Sequence, residues 1–264
     1  ILNMEKSTQL HLSSKQGIEG AVFGLLQDKT GIFWLTTDQN KAFAVDLQKN
    51  TVEKFTIGSD NRIIYSVVED AEGQLWLGSV NAGSHVINLN RGRPGNFTTS
   101  DGLSSNVFWA TLEAKDGNIW LGTTNGIDVY DPTYRTIRHL GIEQGLPDRN
   151  MNHLYEDRQG QIWAFGNGFG LTVINVKEGT IKTLGRDQGL RDTDIRRLWE
   201  AEGGGMWLGT NDGGLFVYNP GTALYKRISN LATFNDEQIL HLTSDASGQM
   251  WICNGKGGVV VVDR

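Results

Sequence analysis

Six tryptophans recur at almost constant spacing: Trp34 in "GIFWLTT", Trp76 in "GQLWLGS", Trp120 in "GNIWLGT", Trp163 in "GQIWAFG", Trp207 in "GGMWLGT" and Trp251 in "GQMWICN". The gaps are 42, 44, 43, 44 and 44 residues. Three places before them stand Gly31, Gly73, Gly117, Gly160, Gly204 and Gly248. Six places before them stand Asp28, Asp70, Asp157 and Asp245, and the other two copies put Glu113 and Glu200 one place earlier. A period in the forties held along the whole chain points to a repeat architecture.

Within each period the pattern is that of strands. A short apolar run such as "IIYSVVED" precedes the acid, and a glycine hairpin turn leads into the tryptophan run. A Gly/Asn-rich turn, an alternating run such as "LFVYNP" and a fourth short run such as "TVEKFT" complete the unit. Four antiparallel strands per repeat predict an all-β fold, a β-propeller of four-stranded blades. The 34 glycines against 4 prolines suit turn-rich sheet. The tryptophans are read as blade anchors, each filling the gap beside the next blade, with burial of a large ring worth about 3 kcal/mol.

Six anchors predict six blades in one domain over residues 1–264. The C-terminal "GGVVVVDR" ends on a third strand, while "ILNMEKSTQLHLSSKQG" aligns with the strand-ending stretch from Val45. The N-terminal strand is therefore expected to complete the last blade and close the ring, which hides the sheet edges. A chain that begins mid-blade is expected to be excised from a longer protein.

The net charge is −6 with scattered basic residues, which argues against nucleic-acid binding. The sequence shows no signal peptide and no apolar run near 18 residues, so no membrane contact is expected of this segment. The single cysteine, Cys253, rules out an internal disulfide and reads as a small buried hydrophobe.

Three copies, "GLSSNVFWATLEAKDGNIWLGTTNGI", "GLPDRNMNHLYEDRQGQIWAFGNGFGL" and "GLRDTDIRRLWEAEGGGMWLGTNDGGL", resemble the repeat of the two-component regulator propeller family. The first, second and last copies keep the tryptophan core with degraded loops, "GIEG", "SDNR" and "NDEQ". The resemblance implies an extracytoplasmic, periplasmic sensor of a hybrid histidine kinase or related protein, often responsive to oligosaccharides. It implies an output signalling module in the same longer chain, and a homodimer is possible. Rings in that family commonly have seven blades.

Comparison of the six copies separates scaffold from site. Twelve places before each tryptophan stand Val22, Ile64, Phe108, Met151, Ile195 and Ile239, all apolar. One place later stand Phe23, Tyr65, Trp109, Asn152, Arg196 and Leu240, which share no chemistry. Packing demands sameness at equivalent positions, whereas an asymmetric ligand demands difference. The inner strands and the loops on their side thus nominate Arg62, Tyr65, Asn106, Trp109, Arg149, Asn152, Asn167, Phe169, Asp194, Arg196 and Asn211. Arginines and amides would bind a polar or acidic oligosaccharide, and aromatic rings would stack on it.

Catalytic motifs are missing. His11, His85, His139, His153 and His241 are dispersed with no metal-ligand spacing, so no metal and no cofactor is expected. The expectation is a non-enzymatic ligand-sensing domain. A protein-interaction platform is the alternative. A virginiamycin B lyase-like enzyme is a third reading, with His153, His241 and Glu237 as its only candidates.

Overall fold

The computed structural model describes residues 2–3, 8–9, 12–57, 63–80, 83–88, 94–166, 170–185, 190, 195–211, 214–219, 222–228, 238–245, 248–255 and 258–262. The chain divides into two compact units, Ile1–His139 and Leu140–Arg264.

The first unit holds three four-stranded antiparallel sheets in simple up-and-down order. The first sheet comprises Val22–Gln27, Phe33–Thr37, Lys41–Asp46 and Thr51–Thr56, and the second Ile64–Glu69, Gln74–Ser79, Ser84–Asn88 and Pro94–Phe97. Phe108–Glu113, Ile119–Thr123, Gly126–Asp131 and Thr136–Leu140 form the third. In the second unit the fourth sheet is His153–Glu156, Gln161–Phe165, Leu171–Asn175 and Thr180–Leu184. The fifth is Ile195–Glu200, Met206–Thr210, Leu215–Asn219 and Leu224–Arg227. The sixth has three strands among the described residues, Ile239–Ser244, Met250–Asn254 and Val259–Val262. The N-terminal strands Leu2–Asn3 and Thr8–Gln9 pair with each other. Among the described residues the N-terminal strands pair with each other and the sixth sheet has three strands, so the expected strand exchange is not shown.

Four of the six tryptophans are tied to the aspartate six places earlier. In the first, second and fourth repeats the Asp six places earlier accepts the indole N–H at 2.8 Å, in the pairs Trp34–Asp28, Trp76–Asp70 and Trp163–Asp157. The same carboxylates accept backbone N–H groups across the hairpin, from Ile32 at 3.0 Å, Gln74 at 2.7 Å and Gln161 at 2.8 Å. One side chain thus fixes both the turn and the ring. The ring then packs on the next sheet, Trp34 against Ile64, Leu75 and Leu77, and Trp76 against Phe108, Ile119 and Leu121. In the second unit Trp163 packs against Ile195, Met206 and Leu208.

Glu113 and Glu200 are not displaced versions of this aspartate. They align with Glu69, and all three reach the neighbouring sheet. Glu69 accepts the backbone N–H of Lys29 at 2.8 Å, Glu200 that of Arg158 at 2.8 Å, and Glu113 that of Ala71. Two acid columns side by side therefore serve two jobs, one inside a sheet and one between sheets. The copies with Glu113 and Glu200 have alanine, Ala114 and Ala201, in the aspartate position. Trp120 is fully buried and its Nε1 has no acceptor. An unpaired buried donor costs about 1–3 kcal/mol. Ala114→Asp is accordingly expected to stabilise the chain by about 1 kcal/mol, read as a rise in thermal midpoint. A fall would show that the orphan indole is not the defect.

Not every anchor is core. Trp207 is partly buried against the sixth sheet, and Trp251 is 40% exposed. Val22, in the otherwise buried apolar column, is 50% exposed. Cys253 is only partly buried.

Glycine sets the spacing between sheets at Gly209, where a Cβ would sit 2.5 Å from Ile239 of the sixth sheet. Three loops leading into inner strands share a 3-10 turn, Ser14–Gln16, Thr99–Asp101 and Ile142–Gln144, each closed by a left-handed glycine with φ of 85° at Gly17, 101° at Gly102 and 106° at Gly145. The first repeat thus keeps this turn although its "GIEG" departs from the family pattern.

Candidate functional site

The variable column is a column of β-bulges. Where the inner strand pairs with the tryptophan strand, the register slips between Val22 and Gly24, Ile64 and Ser66, Phe108 and Ala110, Ile195 and Arg197, and Ile239 and His241. The extra residues are Phe23, Tyr65, Trp109, Arg196 and Leu240. In the fourth sheet regular pairing starts at His153, and Asn152 donates its N–H to the Phe165 carbonyl at 3.0 Å. A bulge leaves its extra residue unpaired and re-aims the side chain. Freed from the ladder, these positions tolerate any chemistry, which is why the scaffold leaves them variable.

In the first unit the bulges build an aromatic row. Phe23 meets Tyr65 edge-on, with centroids 5.2 Å apart and planes at 73°, and Tyr65 meets Trp109 at 5.2 Å and 50°. Such contacts contribute about 0.5–1.5 kcal/mol each beyond burial. Hydroxyl bonds beneath hold the sheets in register, from Thr36 to the Ile64 carbonyl at 3.0 Å and between Ser66 and Thr111. Phe23 is 45% exposed, while Tyr65 and Trp109 are half-buried, and Trp109 Nε1 has no acceptor. The row offers flat apolar faces with polar edges.

In the second unit the same strands carry cations and amides. Arg196 Nε donates to Asn211 Oδ1 at 3.4 Å, and Gln238 donates to the same oxygen. Arg197 Nη1 donates to the Arg196 carbonyl at 2.7 Å. His153 stacks on Phe165 with centroids 4.7 Å apart and planes at 21°. Burial, then the charges of Arg197 and Arg196, push its imidazole down to about 4, so it is neutral near pH 7. Burial and Arg196 also lower the Arg197 guanidinium.

Of the sequence-derived candidates, Tyr65 and Trp109 come together in the first unit, joined by Phe23. Arg196 and Asn211 come together in the second. Asn106 braces a loop instead: its Oδ1 accepts the Thr99 N–H at 2.8 Å and its carbonyl accepts the Gly83 N–H at 3.0 Å. Arg149 is exposed, and Asn152 occupies the bulge-equivalent position of the fourth sheet. Arg62, Asn167, Phe169 and Asp194 lie outside the described residues, as does Glu237. His241 is exposed, in contrast to the stacked His153. Arg197 was not among the candidates, because nothing in a strand's period-2 pattern announces a bulge beside it. Among the described residues, no group of three or more His, Cys, Asp or Glu side chains is placed to hold a metal ion. No helix among them is long and apolar enough to cross a membrane.

The two-component regulator propeller model matches residues 58–81, 102–125 and 145–168. These are the second, third and fourth repeats, so the second is matched despite its "SDNR" loop. No curated protein matches the chain. Among solved structures, the extracellular domain of the hybrid two component system BT3049 from B. thetaiotaomicron is similar at 19% identity, with a TM-score of 0.78 over 96% of this chain and 35% of that one. The extracellular domain of BT4673 from the same organism is 22% identical, with a TM-score of 0.76 over 97% of this chain and 34% of that one. Virginiamycin B lyase from Staphylococcus aureus is 12% identical, with a TM-score of 0.73 over 94% of this chain and 86% of that one. The chain spans about a third of the length of the two B. thetaiotaomicron domains. At these identities the likeness establishes the fold, a propeller built of repeated antiparallel sheets. Three of its six repeats are similar to the two-component regulator propeller repeat.

Proposed function

We propose that this propeller is a non-enzymatic sensory domain that binds a small saccharide and passes its occupancy to an output module in the same longer chain, with the domain facing the periplasm. The six-bladed closed ring expected from the repeat count belongs to this reading. Three observations support it. The matched repeats are those of regulator propellers, two similar structures are extracellular domains of signalling systems, and the bulge column is chemically diverse. The row Phe23, Tyr65 and Trp109 carries the reading furthest. Three neighbouring strands each place an aromatic ring at a position where packing requires none, and adjacent rings suit the apolar face of a sugar. The lyase reading gains nothing from His153, whose ring is spent on Phe165.

Calorimetric titration with a panel of neutral oligosaccharides tests this. At least one is expected to bind saturably, with affinity about tenfold weaker in Tyr65→Ala and in Trp109→Ala, the loss of one ring contact each. Affinity unchanged in both variants would remove the aromatic row from the site. Silence across the panel, with capture of a protein partner, would favour an interaction platform.

A further inference from the structure

We propose that the inner strands of the second unit hold a site for an oxyanion carried by the ligand, a carboxylate or a sulfate ester, with Arg197 as its charged contact and Arg196 beside it. The proposal rests on the reading of the propeller as a ligand-binding domain and names the class of ligand.

The position ten places before each tryptophan makes the case. In the first unit it holds Gly24, Ser66 and Ala110, all small. Space explains at least the first, since a Cβ on Gly24 would sit 2.4 Å from Thr36 Oγ1. In the second unit the same position holds His153, Arg197 and His241. His153 there is a neutral ring stacked on Phe165, which leaves the Arg197 guanidinium as the charge that this packing does not explain.

Charge gives the second argument. Several cations elsewhere meet acids: Lys41 and Lys54 pair with Glu19, Lys49 with Asp46, His139 with Asp128 and Arg158 with Glu200. Among the described residues Arg197 pairs with no carboxylate. Its Nη1 donates to the Arg196 carbonyl, and the charge that acts on it is another guanidinium, that of Arg196. Two like charges side by side in a half-buried setting disfavour each other, and a bound anion removes that penalty. The planar fork of arginine matches carboxylate and sulfate oxygens in pairs. Arg196 is steadied by Asn211, which Gln238 also holds, so the second cation is positioned in advance.

The test titrates the whole chain with sodium sulfate and with galacturonate, against sodium chloride at matched ionic strength and against neutral galactose. Saturable binding of sulfate or galacturonate, but not of chloride, is expected. Arg197→Met, which keeps the apolar stem, should weaken it at least tenfold, and Arg197→Lys should retain part of it. A preference between the two anions distinguishes an acidic sugar from a sulfated one. No saturable binding of either anion by the wild-type chain overturns the proposal, as does unchanged affinity in Arg197→Met. If Arg197→Met does not fold, as judged by circular dichroism, Arg196→Gln takes its place with the same expectation. A chain that binds sulfate through Arg197 yet ignores every neutral saccharide would retain this site and sink the aromatic-row reading.

Discussion

Asp70→Ala is expected to destabilise the chain by about 3 kcal/mol, a drop of roughly 6–10 °C in thermal midpoint. The carboxylate is completely buried and accepts the Trp76 indole N–H at 2.8 Å, the Gln74 backbone N–H at 2.7 Å and the Gln74 side-chain N–H at 3.1 Å. Removing it strands a buried indole and a buried turn amide, each worth about 1–3 kcal/mol when unpaired. The Trp76 ring also sits in an aromatic cluster with Phe97 and Tyr130, at centroid distances of 5.1 Å to each, so a loosened indole disturbs the packing of two sheets. Asp70→Asn keeps an acceptor oxygen and should cost about 1 kcal/mol. Chemical denaturation of the three proteins measures the series. A loss below 1 kcal/mol in Asp70→Ala would show that water or a rearranged turn replaces the carboxylate. The third repeat already tolerates one orphan indole at Trp120, which is why a large but not lethal effect is expected.

Acidification is expected to cost the folded chain about 3 kcal/mol through His153 alone. Burial first, then Arg197 and Arg196, hold this imidazole at about 4 in the folded state, against an ordinary value of 6.5. Between those values the unfolded chain binds a proton that the folded chain refuses. The stabilising contribution is therefore complete above about pH 6.5 and is lost as the pH falls through 4. Acidic groups add their own dependence, so the measurement compares wild type with His153→Phe, which keeps a ring stacked on Phe165. From pH 7 to pH 4 the wild type should lose about 3 kcal/mol more stability than the variant. Parallel profiles would mean that the imidazole is solvated and free to protonate.

Much of the fold was legible before any coordinates. The tryptophan frame, the glycine three places ahead and the alternation of apolar runs predicted six antiparallel sheets and their strands. Packing repeats when the same neighbour repeats, and that repetition is written in residue types. The candidate site was legible only in outline. Unequal chemistry at one column singled out Tyr65 and Trp109, which stand beside each other, and Arg196, which bonds Asn211, whereas Asn106, from a second unequal column, braces a loop. Phe23 and Arg197 were passed over because their importance depends on the neighbours that the sheets bring beside them.

Local periodicity and turn chemistry, both short-range, determined from sequence alone that this chain makes repeated β-sheets. Tertiary structure alone decided the rest. It separated two acid columns that look like one shifted column, because only packing shows that Asp70 faces its own indole while Glu69 faces Lys29 of the sheet before. It left Trp251 40% exposed where Trp76 is buried against Phe108, Ile119 and Leu121, because burial belongs to the neighbours and not to the residue. It also turned a variable column into bulges, since register is a relation between strands and no single strand carries it.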